Sequence, residues 1–255
     1  MKKQIVVLVA FAASLACQLI APPPAREGTV ITDCAAIVSG MAELQSVEAP
    51  QSLMETGVKQ GSEFDANDYF KVLSHVSMQD GYALDYVYQV DGLGSFPMLY
   101  ARPIGQPPYA LITDVPEGME LGNFRDRLNI QDVERGYFEY AVMDVMANQF
   151  YLVWHANYND AEIVCNREAA DALVEGINAG DFGMHFDLKQ QAQVRAMTNI
   201  EPAVTLTPDR AIVEMVVFTK WGGFFRRTYT IDRSFPHAVD MKEENLVDYQ
   251  CGIMF

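Results

Sequence analysis

Between residues 210 and 232 the chain reads RAIVEMVVFTKWGGFFRRTYTID, two apolar, β-branched and aromatic runs separated by a glycine pair. Tight hairpin turns need positive φ, which glycine reaches without strain, so the pattern predicts a β-hairpin folded at Gly222-Gly223. With that two-residue loop, Trp221 faces Phe224, Val217 faces Thr228, and Glu214 lies on the same face as Arg227. The first strand is apolar on both sides, which suits the middle of a sheet. The second alternates Phe225, Arg227, Tyr229 and Ile231 with Arg226, Thr228 and Thr230.

Similar runs at 82–90 and 96–102, around a turn at 91–95, predict a second hairpin. Residues 137–147 and 150–155, around Asn148-Gln149, predict a third. Helices are expected over 32–44 from Asp33, over the stripe Tyr69, Phe70, Leu73 and Val76 behind the cap Asp65, and over 167–179 between Asn166 and Gly180. Another is expected over 188–197. Shorter strands are expected at 109–115, 128–130, 163–165, 201–206 and 246–254. These elements imply an α+β fold, an antiparallel sheet of three β-hairpins with two or three helices packed on one face or at the ends. Residues 32–255 are read as a single globular domain, with two sub-lobes, 32–180 and 181–255, as the alternative.

Composition changes this picture at the N-terminus. Lys2 and Lys3 precede an apolar run at 5–13, and Ser14 and Ala16 place small residues at −3 and −1 before Cys17, the pattern of a secretory signal peptide over 1–16. Ser14-Leu15-Ala16-Cys17 resembles the lipobox of bacterial lipoproteins, with Ser14 and Leu15 in the reverse of that family's usual order. The resemblance implies acylation of Cys17, a chain exported to the bacterial cell envelope, and membrane attachment through an N-terminal lipid. Plain secretion and an uncleaved anchor are the alternatives. Residues 17–31, with Pro22-Pro23-Pro24, then form a stiff tether. Of the remaining cysteines, Cys34, Cys165 and Cys251 allow one disulfide in any of three pairings.

Half of the 255 residues are apolar, enough for a sizeable core, and the net charge of −16 excludes general affinity for nucleic acid. No CxxC, GxSxG, HExxH or Gly-rich phosphate loop occurs, so no cofactor and no catalytic class is implied. The polar cluster Trp154, His155, Asn157, Asn159, Asp160 and Glu162 carries oxygen groups that calcium favours, but not the spacing or glycine of a calcium loop, so no metal is assigned. Four histidines, His75, His155, His185 and His237, are the acid/base candidates, with His185 and Asp187 sharing one side of a strand. Glu214 interrupts an apolar strand and is expected to pair with Arg227 or Arg233. The candidate binding residues are therefore Trp154, His155, Asn157, Asp160, Glu214, Trp221, Arg226 and Arg227. A domain binding an unidentified protein or small-molecule ligand is the favoured reading, and an extracytoplasmic hydrolase using carboxylates with His155 or His237 is the alternative.

Overall fold

The run at 210–219 is apolar on both sides because both of its sides are covered. In the computed structural model, which describes residues 28–181 and 183–253, it is the central strand of a six-stranded antiparallel sheet. The chain opens with β1 (Thr29–Val30), helices α1 (Cys34–Gln45) and α2 (Gln51–Thr56), and a 3-10 turn at Ala66–Lys71. Strand β2 (Val76–Met78) and the hairpin of β3 (Tyr82–Val90) and β4 (Gly94–Pro103) follow, then β5 (Leu128–Ile130) and α3 (Glu134–Met146). After β6 (Val153–Trp154), the short α4 (Ala156–Asn159) and β7 (Ala161–Val164) come helices α5 (Arg167–Ala179) and α6 (Leu188–Ala196). Strands β8 (Ala203–Leu206), β9 (Arg210–Thr219), β10 (Gly223–Asp232) and β11 (Val239–Val247) complete an α+β fold with antiparallel sheets.

Strand β9 has β10 along one edge, while β8 and β7 share the other, β8 beside 211–214 and β7 beside 216–219. Val213, Met215 and Val217 point into one core, with α1, α3 and Tyr229; Val216 and Phe218 point into another, with Phe186, Phe224, Val247 and Tyr249. Burying one such side chain contributes about 1.5–3 kcal/mol, and alternation along an extended strand sends the residues to the two cores in turn. The caps Asp65 and Asn166 are as expected, their side chains accepting from the N–H groups of Asn67 and Ala169.

Several expectations are corrected. The loop of the main hairpin is Lys220-Trp221-Gly222, with Gly223 opposite Thr219 and Arg227 opposite Met215. Only Gly223 has positive φ, and a Cβ there would also strike the Val247 carbonyl of β11. The register differs from the two-residue loop by an odd number of positions, so Glu214 and Arg227 fall on opposite faces. Residues 134–146 form α3 rather than the outgoing strand of a third hairpin, and only Val153–Trp154 of the expected return strand pairs, with β4. A helix buried on nearly every side has no polar stripe, so its aromatic and β-branched sequence reads like a strand. Residues 109–115 hold a 3-10 turn at Ile112–Asp114, and the last strand lies at Val239–Val247, earlier than 246–254.

Cys34 at the start of α1 is bonded to Cys165 beyond β7, across 131 residues of sequence, and Cys251 is a buried free thiol. The bond ties the α1 layer to the central sheet, and closing so long a loop restricts the unfolded chain strongly. Replacing both Cys34 and Cys165 by Ser is expected to lower stability by about 2–5 kcal/mol, read as the urea-unfolding free energy; an unchanged midpoint would refute the bridge.

Candidate functional site

Five elements meet around one cleft. The turn joining β3 to β4 is fixed by Asp91, whose Oδ1 accepts the N–H groups of Leu93 and Gly94, each at 2.8 Å. Gly94 and Ser95 pair with Trp154 and Val153 of β6, and the His155 N–H donates to the Leu93 carbonyl at 3.3 Å. Helix α3 ends beneath this turn and presents Asp144 and, just past its end, Asn148 and Gln149. Gln149 is held by donation to the carbonyls of Val145 and Ala161. Strand β10 supplies Arg227, and the start of β7 brings Asp160 and Ala161. The cleft is open to solvent and its volume is about 440 Å³, within the range of pockets that hold small ligands.

Two of the left-handed residues flank the stretch that lines the cleft. Tyr151 and Trp154 have φ of 54° and 56°, a left-handed conformation that costs a non-glycine residue about 1–3 kcal/mol. Trp154 is 59% exposed and Leu93, beside it across the β4–β6 pairing, is 66% exposed. Leu93 gives the cleft an exposed apolar rim.

Two charges in the cleft are bonded by protein groups, while the buried Asp160 Oδ1 has no hydrogen-bond partner. Asp144 accepts from Arg125 Nε at 2.5 Å and from the Tyr229 hydroxyl at 2.9 Å, and Arg227 Nε donates to Glu243 at 2.7 Å. Asp160 has Lys220 Nζ at 3.8 Å. Burial raises the Asp160 pKa above the ordinary carboxylate range, and Lys220 offsets this only in part. Asp91 moves the other way, held low by its two backbone N–H donors with a smaller pull from His155. The site therefore places two carboxyl groups with opposite shifts in one cleft with an imidazole.

Of the residues singled out in the sequence, His155, Asp160 and Arg227 line the cleft, and Trp154 is exposed next to it with its ring 5.4 Å from that of His155. Asn157 is exposed nearby and its carbonyl accepts from Lys220 at 3.1 Å. The other three lie elsewhere. Trp221 sits in the main hairpin loop with its ring 6.5 Å from that of Tyr158, and Arg226 donates to the Thr198 carbonyl at 2.7 Å. Glu214 does not meet Arg227: it stands opposite Thr228 and Ala203, while Glu243 on β11 is the partner of Arg227 and Asp132 that of Arg233.

The remaining histidines lie outside the cleft. His75 Nδ1 is 3.0 Å from Glu139, a fully buried α3 carboxylate that also accepts the His75 N–H at 2.6 Å and Arg135 Nε at 2.8 Å. His185 bonds the Gly180 carbonyl and His237 that of Asp232. No strand carries His185 and Asp187 together; Asp187 caps α6. Among the described residues, no three His, Cys, Asp or Glu side chains gather where a metal ion could sit. Asp91, Asp144, Asn148 and Gln149 were missed from sequence. The four-residue spacing of Asp144 and Asn148 places both on one face only once this stretch is read as a helix running into its end.

Two outcomes are expected. Trp154→Gly relieves the left-handed backbone and removes little packing, so stability should hold or rise by about 1 kcal/mol in urea titration. Because the folded pKa of Asp160 is raised, its effect on stability becomes unfavourable as pH climbs from the unfolded carboxylate range through the folded value. Asp160→Asn should therefore match the parent at acid pH and exceed its urea midpoint at neutral pH; an equal or lower neutral midpoint would contradict the assignment. In comparisons with known proteins, the chain matches no family model, no curated protein and no solved structure.

Proposed function

We propose that this chain is an exported binding domain, held to the bacterial cell envelope by lipid on Cys17, with the cleft beside Trp154 as its ligand site. One observation carries the binding half. His155, Asp160 and Arg227 converge at a single concave site, beside the exposed and strained Trp154. A left-handed, outward tryptophan adds little to the core, which makes recognition the simplest reason to hold it. The envelope half is supported by the signal pattern ending at Cys17, which lies outside the described residues, and by the Cys34–Cys165 bond, since such bonds persist in oxidising compartments.

An extracytoplasmic hydrolase is the second reading. It is favoured by His155 and the oppositely shifted Asp91 and Asp160 lining one cleft, the kind of split that separates an acid from a base. Turnover of nitrophenyl esters or glycosides, lost in both His155→Ala and Asp160→Asn, would establish it; binding without turnover would remove it.

Substituting Cys17→Ala should move the protein from the membrane to the soluble fraction, whereas continued sedimentation with membranes would favour an uncleaved anchor. For the cleft, a thermal-shift screen of small molecules should return stabilisers whose effect disappears in Asn148→Leu, which places a bulkier apolar group in the cleft. Stabilisers indifferent to that change would put the ligand site elsewhere.

A further inference from the structure

Accepting the cleft as the ligand site, one of its charges is poorly provided for. Asp144 is bonded by Arg125 and Tyr229, and Arg227, the one arginine or lysine among the lining residues, is bonded by Glu243. Those charges cancel in pairs. Asp160 differs, because its Oδ1 is buried and has no hydrogen-bond partner. The Lys220 ammonium stands 3.8 Å from that oxygen, beyond hydrogen-bond reach, and donates instead to the Asn157 carbonyl at 3.1 Å. A carboxylate taken out of water without hydrogen bonds is destabilised, and a further positive charge beside it offsets part of that cost. An anionic ligand meets the reverse situation. Asp91 and Asp160 repel it, and the arginine that could receive it is already held by Glu243. The net charge of −16 on the whole chain adds to the same preference.

The walls narrow the ligand further. Most of the cleft's surface is apolar, with Leu93, Phe96, Val145, Leu152 and Ala161 among the residues that line it. A small hydrated cation would leave that surface uncovered, and a wholly polar amine would be desolvated against it without return. An amine carrying an aromatic or branched apolar body meets both demands. Its body removes the walls from water, its ammonium supplies positive charge beside Asp160, and the Asn148 amide oxygen in the lining is an acceptor for a second N–H. The volume of about 440 Å³ accommodates such a molecule. We propose that the cleft binds an organic ammonium ion with an aromatic or branched apolar body, its charge beside Asp160 and its body against Leu93, Phe96 and Leu152.

Phenylethylamine, phenylethanol and phenylpropionate share an aromatic body and differ in charge, while putrescine has the charge without the body. Each is titrated into the protein by calorimetry to roughly millimolar levels at low ionic strength. The expected result is saturable binding of phenylethylamine, at least about tenfold tighter than that of phenylethanol or putrescine, and no binding of phenylpropionate. In Asp160→Asn the affinity for phenylethylamine should fall by about tenfold while that for phenylethanol is unchanged, and in Leu93→Ser both should fall by roughly threefold. Circular dichroism checks that both variants are folded. Phenylethanol, phenylpropionate or putrescine binding as tightly as phenylethylamine, or amine binding indifferent to Asp160→Asn, would overturn the ammonium ligand while leaving the cleft as a ligand site. Silence with all four probes would overturn the ammonium ligand, and silence in the thermal-shift screen as well would overturn the cleft.

Discussion

Strand β9 has to be covered twice. Val213, Met215 and Val217 on one face and Val216 and Phe218 on the other are all essentially buried, so the sheet cannot be the solvated wall of a two-layer protein. One face is met by α1 and α3, the other by α5, α6 and the segment leading to Cys251. The stacked pair Phe186 and Tyr249, with ring centroids 4.3 Å apart, closes the second core. Everything else in the fold is arranged so that these two layers reach the sheet, including the bond from Cys34 to Cys165 that pins the first layer beside β7.

The same constraint places the cleft. Helix α3 is so deeply set against the sheet that its charged residues need internal partners, and Glu139 finds His75 and Arg135 while Asp144 finds Arg125 and Tyr229. Tyr229 and Arg227 are neighbours on one face of β10, so the end of α3 is fixed against that strand by Tyr229 and stands next to Arg227. The β3–β4 turn then lies over the helix end, and the gap between them is what remains open. The cleft is thus bounded by groups whose positions the core dictates, while Leu93 and His155 on its rim are set by local backbone choices.

Legibility in the sequence followed the strength of local chemistry. The β3–β4 hairpin, the caps at Asp65 and Asn166, and the interior place of β9 were readable because turn residues, capping side chains and double-sided apolar runs act within a few residues. The main hairpin was found but its register was not, since a glycine pair marks a bend without saying whether the loop holds two residues or three. That single ambiguity moved Arg227 to the other face and gave it the wrong acid. Helix α3 was lost for a different reason: YFEYAVMDVM is what a strand and an all-round buried helix have in common, and nothing local separates them. Half of the site went with it. The rim residues His155 and Asp160 were legible only because polar residues crowd after a short apolar run, whereas Asp91 was hidden by its equally good role as a turn former.

That double role bears on how the cleft works. Asp91 is bonded to the turn that carries Leu93, and His155 is bonded through its backbone to Leu93 as well. Leu93 and His155 on the rim are therefore one mechanical unit: the carboxylate that stabilises the turn also fixes Leu93, to which the His155 backbone is bonded. The rim is thus held by the protein's own bonds beside one left-handed residue, Trp154, so its shape follows from local backbone chemistry and not from the core.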